Sequence, residues 1–457
     1  MKRVVSAALL VLLGCTSYEP DPAEPLELLR ALEALSLREL GVSDVAPVVT
    51  DFEVRDGLTV REACAVAVRF NPRLVRLRAE VGVAEARLVQ AGLLEDPVIG
   101  WSAMDAASGA VVDGKLENPA WLSGFSLTWQ VPRPGELDAQ QGVAGARIQA
   151  AGADLAGAEW TLVREVYLGY LGVLVARARR QQLERLDQIA QRALDYFEGA
   201  QRAGAATALE AGLARVAAGN VRADELGARV QETLAQQALN AQLGLPPSAD
   251  WEPQDTLDQL ARRAEAAVED PQQLVRASLD RRPDLQGLLA EHRAAEEQLR
   301  LQVALQWPQL GIGTSFSLQL PLFTRFNQPA IETALRRREV ARAAVRAGLH
   351  TARAEVHAAL AQLEQARAVL EVFEATLGPQ TEETLRLTEL AFAAREVTPL
   401  GILTAQRQVL DTQTRLLNAR QSWAAAQIRL DSACGRLLPA ARTPLPQPRD
   451  SDSEVPE

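Results

Sequence analysis

"RRPDLQGLLAEHRAAEEQLRLQVALQWPQLG" runs from Arg281 to Gly311, and "FNPRLVRLRAEVGVAEARLVQAGLLEDPVIG" runs from Phe70 to Gly100. The two segments match without a gap at an offset of 211. Pro72 meets Pro283, Leu74 meets Leu285, Glu85 meets Glu296, Pro97 meets Pro308 and Gly100 meets Gly311. Two prolines and a glycine held in register are a poor match for chance, so the chain is an internal duplication. A second set of matches, at an offset of 191, joins Thr207 to Thr398, Leu209 to Leu400, Leu239 to Leu430 and Gly244 to Gly435.

Each copy carries the same order of patterns. Thr59-x-x-Glu62 opens a short helix as a capping box. Asn71-Pro72 ends it, because proline disfavours helix in the residue before it. A second helix spans about Arg73 to Leu94. "VIGWSAM" (Val98–Met104) and "GFSLTWQV" (Gly124–Val131) then alternate as strands do, with a Gly/Ala/Asp/Asn-containing loop between them. Leu137 to Ala203 is free of proline and predicts one helix roughly 100 Å long. Leu183, Leu186, Ala190, Ala193 and Phe197 step through it at coiled-coil spacing. A break at Ala203–Thr207 precedes another helix to Leu243. The second copy predicts a helix over Asp284–Gln306, a strand-like apolar stretch, and a long helix from Pro329 to Arg395. That helix has its own seam at Leu363, Ala366, Leu370, Phe373 and Leu377. After a break at Val397–Pro399, a last helix runs to Cys434. The domain reading is therefore 58–246 for the first repeat with its hairpin at 98–131, and 270–436 for the second with its hairpin at 308–323. A linker at 247–269 joins them, and a Pro/Ser/Asp-rich tail at 437–457 has the composition of a disordered segment.

Composition narrows the class. The 457 residues are 47% hydrophobic but only 4% aromatic, and alanine is common. Alanine favours helix and lets backbones approach closely. A net charge of −11 with no basic tract argues against nucleic acid as a partner. Residues 1–14 read as a signal peptide: Met1-Lys2-Arg3, then an eleven-residue apolar run too short to span a bilayer. The run ends at Gly14-Cys15. Two readings stand there: a lipobox, with Cys15 acylated as the mature N-terminus, or an ordinary signal peptide with a stray cysteine. With Cys15 lipidated, residues 15–57 form a tether with one short helix near Leu26–Leu40. Thr16 follows the cysteine, and the sorting rules of bacterial lipoproteins then direct the chain to the outer membrane. Cys64 and Cys434 read as buried free thiols or as a bridge. No other run of 18 or more apolar residues occurs, so any membrane passage falls to strands.

With these motifs in place, residues 58–436 resemble the TolC-type outer membrane factor family. "LTVREACAVAVRFNPRL" is similar to the family's entry motif. "GAATALEAGLARV" and "VTPLGILTAQRQVLDTQTRLLNA" look like its two helix-turn-helix tips. "VPRPGELDAQQGVAGARI" and "LPLFTRFNQPAIETA" look like the openings of its long helices and lean toward the heavy-metal cation efflux branch. The resemblance implies a mainly α fold: a duplicated long-helix coiled-coil tube, with short β-hairpins contributing to a trimeric outer-membrane β-barrel. It implies a homotrimer in outer membrane lipid, most of each chain lying in the periplasm. A periplasmic adaptor protein would dock on tip residues Gly204, Ala205, Ala206, Thr207, Leu209, Val397, Thr398 and Leu400, and an inner-membrane pump would act through that adaptor. For those tips, plain turn geometry is the competing reading. Trp101, Trp121, Trp129 and Trp307 lie in or beside the hairpins and read either as interfacial girdle residues or as ordinary strand packing.

Two departures from the family follow. The offset falls from 211 at Gly100/Gly311 to 189 at Pro132/Pro321, so the second hairpin has room for strands of only about five residues. A spanning strand needs about 9–11. At the aperture, Arg395 stands where the family has a tip glycine, and the positions of its acidic ring are held by Gly401 and Thr404. The first half keeps Gly204 and has Glu210 at the corresponding position. The chain lacks a P-loop, a nucleophile elbow and a CxxC motif. His292, His350 and His357 lack the spacing of helical zinc pairs. The sequence thus reads as a non-enzymatic export duct without cofactor or metal. The alternative is a non-conducting envelope scaffold derived from the same family.

Overall fold

The computed structural model describes residues 18–34, 57–112, 115–262, 270–393 and 399–437. After α1 (Pro25–Glu33), exposed along its length, the first repeat comprises α2 (Val60–Phe70), α3 (Pro72–Ala91), β1 (Val98–Val112), β2 (Lys115–Val131), α4 (Glu136–Arg202) and α5 (Ala208–Leu243). A short α6 (Leu257–Arg262) follows. The second repeat comprises α7 (Pro271–Arg281), α8 (Pro283–Ala304), β3 (Gln309–Gly313), β4 (Ser317–Gln319), α9 (Gln328–Val372), a π turn (Phe373–Leu377), α10 (Gly378–Ala393) and α11 (Pro399–Ala433). No described helix is long and apolar enough to cross a membrane.

The local signals explain most boundaries. Thr59 and Glu62 form the reciprocal capping box at the start of α2. Asn71 ends α2 and caps α3, its side chain accepting from the Arg73 N–H at 2.9 Å. Gly244 and Gly435 close α5 and α11 in the left-handed region, at φ +77 and +68. The two ends superimpose hydrogen bond for hydrogen bond. Leu245 N–H donates to Asn240 O, and Arg436 N–H to Asp431 O. A Cβ on Gly244 would run into the Phe70 carbonyl, and one on Gly435 into Arg281, the equivalent residue of the other repeat. Both positions therefore require glycine for conformation and for clearance.

The main core lies where α2, α4 and α5 meet. Val60, Val66, Val163, Val166, Tyr170, Leu171, Leu239 and Leu243 fill it. The segment between the repeats belongs to this core as well. Trp251 stacks on Tyr170 at 6.0 Å between centroids, and Asp255 accepts the Val60 N–H at 2.7 Å. Leu437, placed by sequence in the tail, packs against the same core, while residues 438–457 lie outside the described set. A smaller cluster joins Leu274, Val356, Ala359, Leu430 and Cys434 in the second repeat. Cys64 and Cys434 are both buried and form no disulfide, and burial pushes the Cys64 thiol far above its ordinary range.

Two expectations change, and a third is described only in part. The stretch read as a loop between the first two strands is itself strand up to Val112 and from Lys115. Its small residues accept the pairing, and register shifts after Ser102, Ala106 and Ser108 absorb the mismatch between the two runs. The long helix of the second repeat is not continuous, because the π turn interrupts it inside the proposed seam. There Leu370 is buried while Phe373 and Leu377 are only half-buried. The first seam is uniformly buried, at 3–8% exposure from Leu183 to Phe197. The tether helix, expected over Leu26–Leu40, is described only as far as Glu33.

Tyr170 holds the two ends of the main core together. Its hydroxyl donates to Leu58 O at 2.7 Å and accepts from Asp255 N–H at 3.2 Å. Tyr170→Phe strips the buried Asp255 N–H of its acceptor. The expected loss is about 1–3 kcal/mol, read as a lowered denaturant midpoint at unchanged slope. An unchanged midpoint would show that the bond carries no net stability.

Candidate functional site

Two regions carry the functional geometry: the β-sheet and the α4–α5 turn. The sheet is antiparallel in the order β1-β2-β3-β4. Its register sorts side chains onto two faces of opposite chemistry. One face holds Ile99 and Trp101 on β1, Leu127, Trp129 and Val131 on β2, Leu310 and Ile312 on β3, and Leu318 on β4. The other holds Gly100, Ser126, Thr128, Gln130, Gln309, Gly311, Gly313, Ser317 and Gln319, with Val98 as its apolar exception. Most of the apolar face is exposed, including Trp101, Ile99, Ile312 and Leu318. β3 ends at Gly313 opposite Thr128, where a Cβ would collide with the Leu127 carbonyl. Beyond that level only β1 and β2 continue. At about 3.4 Å per residue they are long enough to cross a hydrocarbon core of about 30 Å, whereas β3 and β4 are not.

Arg133, from the "PRPG" stop, clamps the hairpins together at their base. Its backbone N–H donates to Glu136 at 2.9 Å, its Nε to the Trp307 carbonyl at 2.9 Å, and its Nη2 to Gln309 at 3.3 Å. Between β4 and α9 the chain makes a tight turn with Arg325, Phe326 and Asn327 in succession at φ +52, +53 and +60. Side chains in that region cost about 1–2 kcal/mol each, less for asparagine. The turn is held by Phe326 N–H to Pro321 O at 2.9 Å and Asn327 Nδ2 to Gln302 O at 2.8 Å.

At the opposite end of α4, Gly204 turns the chain at φ +73, and Ala205 N–H returns to Ala200 O at 2.8 Å. Ala206 packs on a small cluster of Leu194, Phe197 and Ala214. Thr207 and Glu210 form a second capping box. Thr207 N–H and Oγ1 donate to the Glu210 carboxylate at 2.7 and 2.9 Å, and Glu210 N–H donates back to Oγ1 at 3.2 Å. These donors hold the Glu210 carboxyl below the ordinary carboxylate range. Leu209 is 72% exposed beside the cap. The helices below are joined by Glu198–Arg215 at 2.7 Å, Asp187–Arg222 at 3.1 Å and Arg180–Glu232 at 2.5 Å.

The sequence-derived positions distribute as follows. Gly204, Ala205, Ala206, Thr207, Leu209 and Glu210 come together in one exposed turn. Val397 and Thr398 lie outside the described residues. Leu400 and Gly401 start α11 with side chains outside the described set, and Thr404 is exposed on the next turn. Cys15 also lies outside the described residues. Trp101 and Trp307 are exposed, Trp129 is half-buried with its Nε1 donating to Glu95 O at 3.0 Å, and the Trp121 side chain lies outside the described set. No His/Cys/Asp/Glu group among the described residues could hold a metal. The Arg133 clamp and the left-handed turn escaped sequence reading, although "PRPG" marked where the first of them falls.

Comparison with known proteins places this architecture. The outer membrane efflux protein family matches residues 67–245 and 274–436. The chain belongs to the outer membrane efflux protein family. The two matched spans fall within the two repeats. Among solved structures the chain is similar to CusC, a channel described as transmembrane, at 18% identity and TM-score 0.68, over 92% of this chain and 100% of that one. It is similar to the CmeC outer membrane channel of Campylobacter jejuni at 14% identity and TM-score 0.68, over 93% and 94%. It is likewise similar to the MtrE outer membrane channel of Neisseria gonorrhoeae at 16% identity and TM-score 0.66, over 92% and 98%. At these identities the likeness establishes the fold, a duplicated long-helix architecture with short hairpins. Comparison with curated proteins returned no match.

Two outcomes test the turn. Gly204→Ala keeps its side-chain space, since nothing lies within 4 Å of the added Cβ, and so loses only the left-handed backbone preference, about 1–2 kcal/mol. Amide exchange at residues 205–211 should accelerate accordingly. The second outcome concerns pH. The folded Glu210 value lies below the unfolded one, so the cap's contribution is present above the ordinary glutamate range and is lost as pH falls through the folded value. Protection of the Thr207 amide should drop on acidification, and Glu210→Gln should abolish that dependence.

Proposed function

We propose that the chain is the outer-membrane duct of a tripartite efflux or secretion system. The observation that carries this reading is the sheet: one face apolar and exposed, the other polar, with the outer edges of β1 and β4 free among the described residues. Lipid does not tolerate free strand edges, so copies of the chain must close them into one barrel. A homotrimer does so with the apolar face to lipid and the Ser/Thr/Gln face to the lumen. The long helices continue the passage through the periplasm. Acylated Cys15 anchors the chain in the outer membrane. Gly204–Leu209 and Val397–Leu400 meet a periplasmic adaptor, and an inner-membrane pump supplies the energy. Glu210, Gly401 and Thr404 lie at the aperture. Glu210 also caps α5 there, so aperture closure does not rest on a free acidic ring.

A second reading is favoured by one feature. β3 and β4 are five and three residues long, and half of the barrel then stops short of full height. On that reading the protein is a lipid-anchored scaffold that binds envelope partners without conducting. Planar-bilayer recording of the purified acylated protein separates the two. Discrete conductance steps, enlarged by substitutions that open the segments 203–207 and 395–399, establish the duct. Silence from those variants, with multimers confirmed, establishes the scaffold.

A further inference from the structure

The apolar face of the sheet does not stop where β4 stops. Phe316, Leu318, Leu320 and Leu322 recur at every second residue through β4 and into the turn, where Leu322 N–H donates to Leu320 O at 2.9 Å, and all four are exposed. The run then ends in the left-handed turn. Phe323 is wholly exposed, at 103%, and Phe326 is about half exposed. Arg325 stands between them, exposed and without an ion pair among the described residues. A turn that accepts three left-handed side chains and then leaves its aromatics unpacked gains nothing from them within the chain. Trp307, two residues before β3, is exposed as well.

We propose that the Pro321–Asn327 turn is an interfacial lipid-binding element, seating Phe323 and Phe326 at the headgroup–acyl boundary of the periplasm-facing leaflet, with Arg325 on lipid phosphate. The inference rests on the membrane reading of the sheet given above. Three features select lipid over a protein partner. The aromatics follow directly on the exposed apolar run Leu318, Leu320 and Leu322, which leads on from the face that meets lipid in that reading. They sit at the end of the sheet where strands give way to helices, the level at which aromatic rings and cationic side chains settle in bilayers. The one charged group of the turn is a free guanidinium, complementary to phosphate and suited to bidentate contact with it. The element also answers a weakness of this chain: a hairpin too short to span is held at its base by an interfacial anchor instead.

Site-directed spin labelling tests the assignment on the full chain in phosphatidylethanolamine/phosphatidylglycerol vesicles. Cys64 and Cys434 are buried, so Phe323→Cys and Leu318→Cys add one reactive thiol each, with the unmutated protein as labelling background and Arg192→Cys as aqueous reference. The expected result is an oxygen-over-nickel collision ratio at position 323 above that at 192, reporting a shallower depth than at position 318. A nickel-dominated label at 323 overturns the proposal in favour of a solvated turn. Shielding from both reagents overturns it in favour of contact with a second copy. If position 318 reports lipid and 323 does not, the sheet reading survives and the turn's role falls. If neither reports lipid, both fall.

Discussion

Each half of the chain is closed by one contact: a glycine helix end seated on the bend between two short helices. Gly244 rests on the bend at Asn71, and Gly435 on the bend at Arg282. The polar groups follow the same plan. Asn71 Nδ2 donates to the Gln242 carbonyl at 2.9 Å, and Arg282 Nη1 to the Ala433 carbonyl at 3.5 Å, residues equivalent under the repeat. Orphan carbonyls at a buried helix end need such donors. Because the returning helix of each repeat is fixed there, the long helices leave the core along directions set by two small joints. The sheet at one end and the α4–α5 turn at the other are positioned by them.

The two joints have diverged chemically while keeping their geometry. Asn71 is small and needs little company. Arg282 is 2% exposed, and its charge must be compensated where it lies. It pairs with Asp284 and Glu355 at 2.6 Å each, and its guanidinium lies 5.1 Å from the Trp160 ring centroid. Trp160 in turn donates to the Ser432 carbonyl at 3.2 Å. Trp160 is on α4, so this network ties the second repeat to the first. Duplication supplied the joint twice, and the second copy became the fastening between the halves.

Much of this was legible in the chain. The repeat offsets, the Thr59–Glu62 capping box and the uninterrupted 67-residue α4 follow from signals within a few residues of each boundary. Most of what escaped depends on distant partners. Strand beyond Met104 is low in apolar content and is held by pairing alone, which periodicity cannot register. The π turn directly precedes Gly378-Pro379, and Pro379 has no N–H to give the carbonyl four residues back, so its cause is local and the sequence reading passed over it. Arg282 looks like any surface arginine until Glu355 and Trp160 arrive from two other helices. At the α4–α5 turn, the break at Ala203–Thr207 was recognisable because glycine turn chemistry is local, whereas Glu210 entered only through the family resemblance. The reciprocal bonding that occupies the Glu210 carboxylate was not anticipated when that residue was placed at an aperture.

The asymmetry of the hairpins is the chain's most consequential departure from its own duplication. Above the level of Thr128 and Gly313, the outer edge of β2 has no strand beside it within the described chain. Hydrocarbon penalises that arrangement, because each bare N–H or C=O there costs several kcal/mol. Asp105, Lys115 and Glu117 fall in this upper part, and charges on it are at odds with immersion in lipid. The apolar residues of β3 and β4 lie below that level with Trp129 and Val131, and those of β1 lie above it, Ile99 opposite Leu127 and Trp101 opposite Phe125. On the duct reading, the lipid-facing surface therefore runs from the β3–β4 hairpin up to Trp101, and the charged upper part of the first hairpin rises beyond it. A barrel built this way is shallow on two of its four strands per chain. The Arg133 clamp, which locks both hairpins together at their base, is then placed where a shallow sheet most needs rigidity.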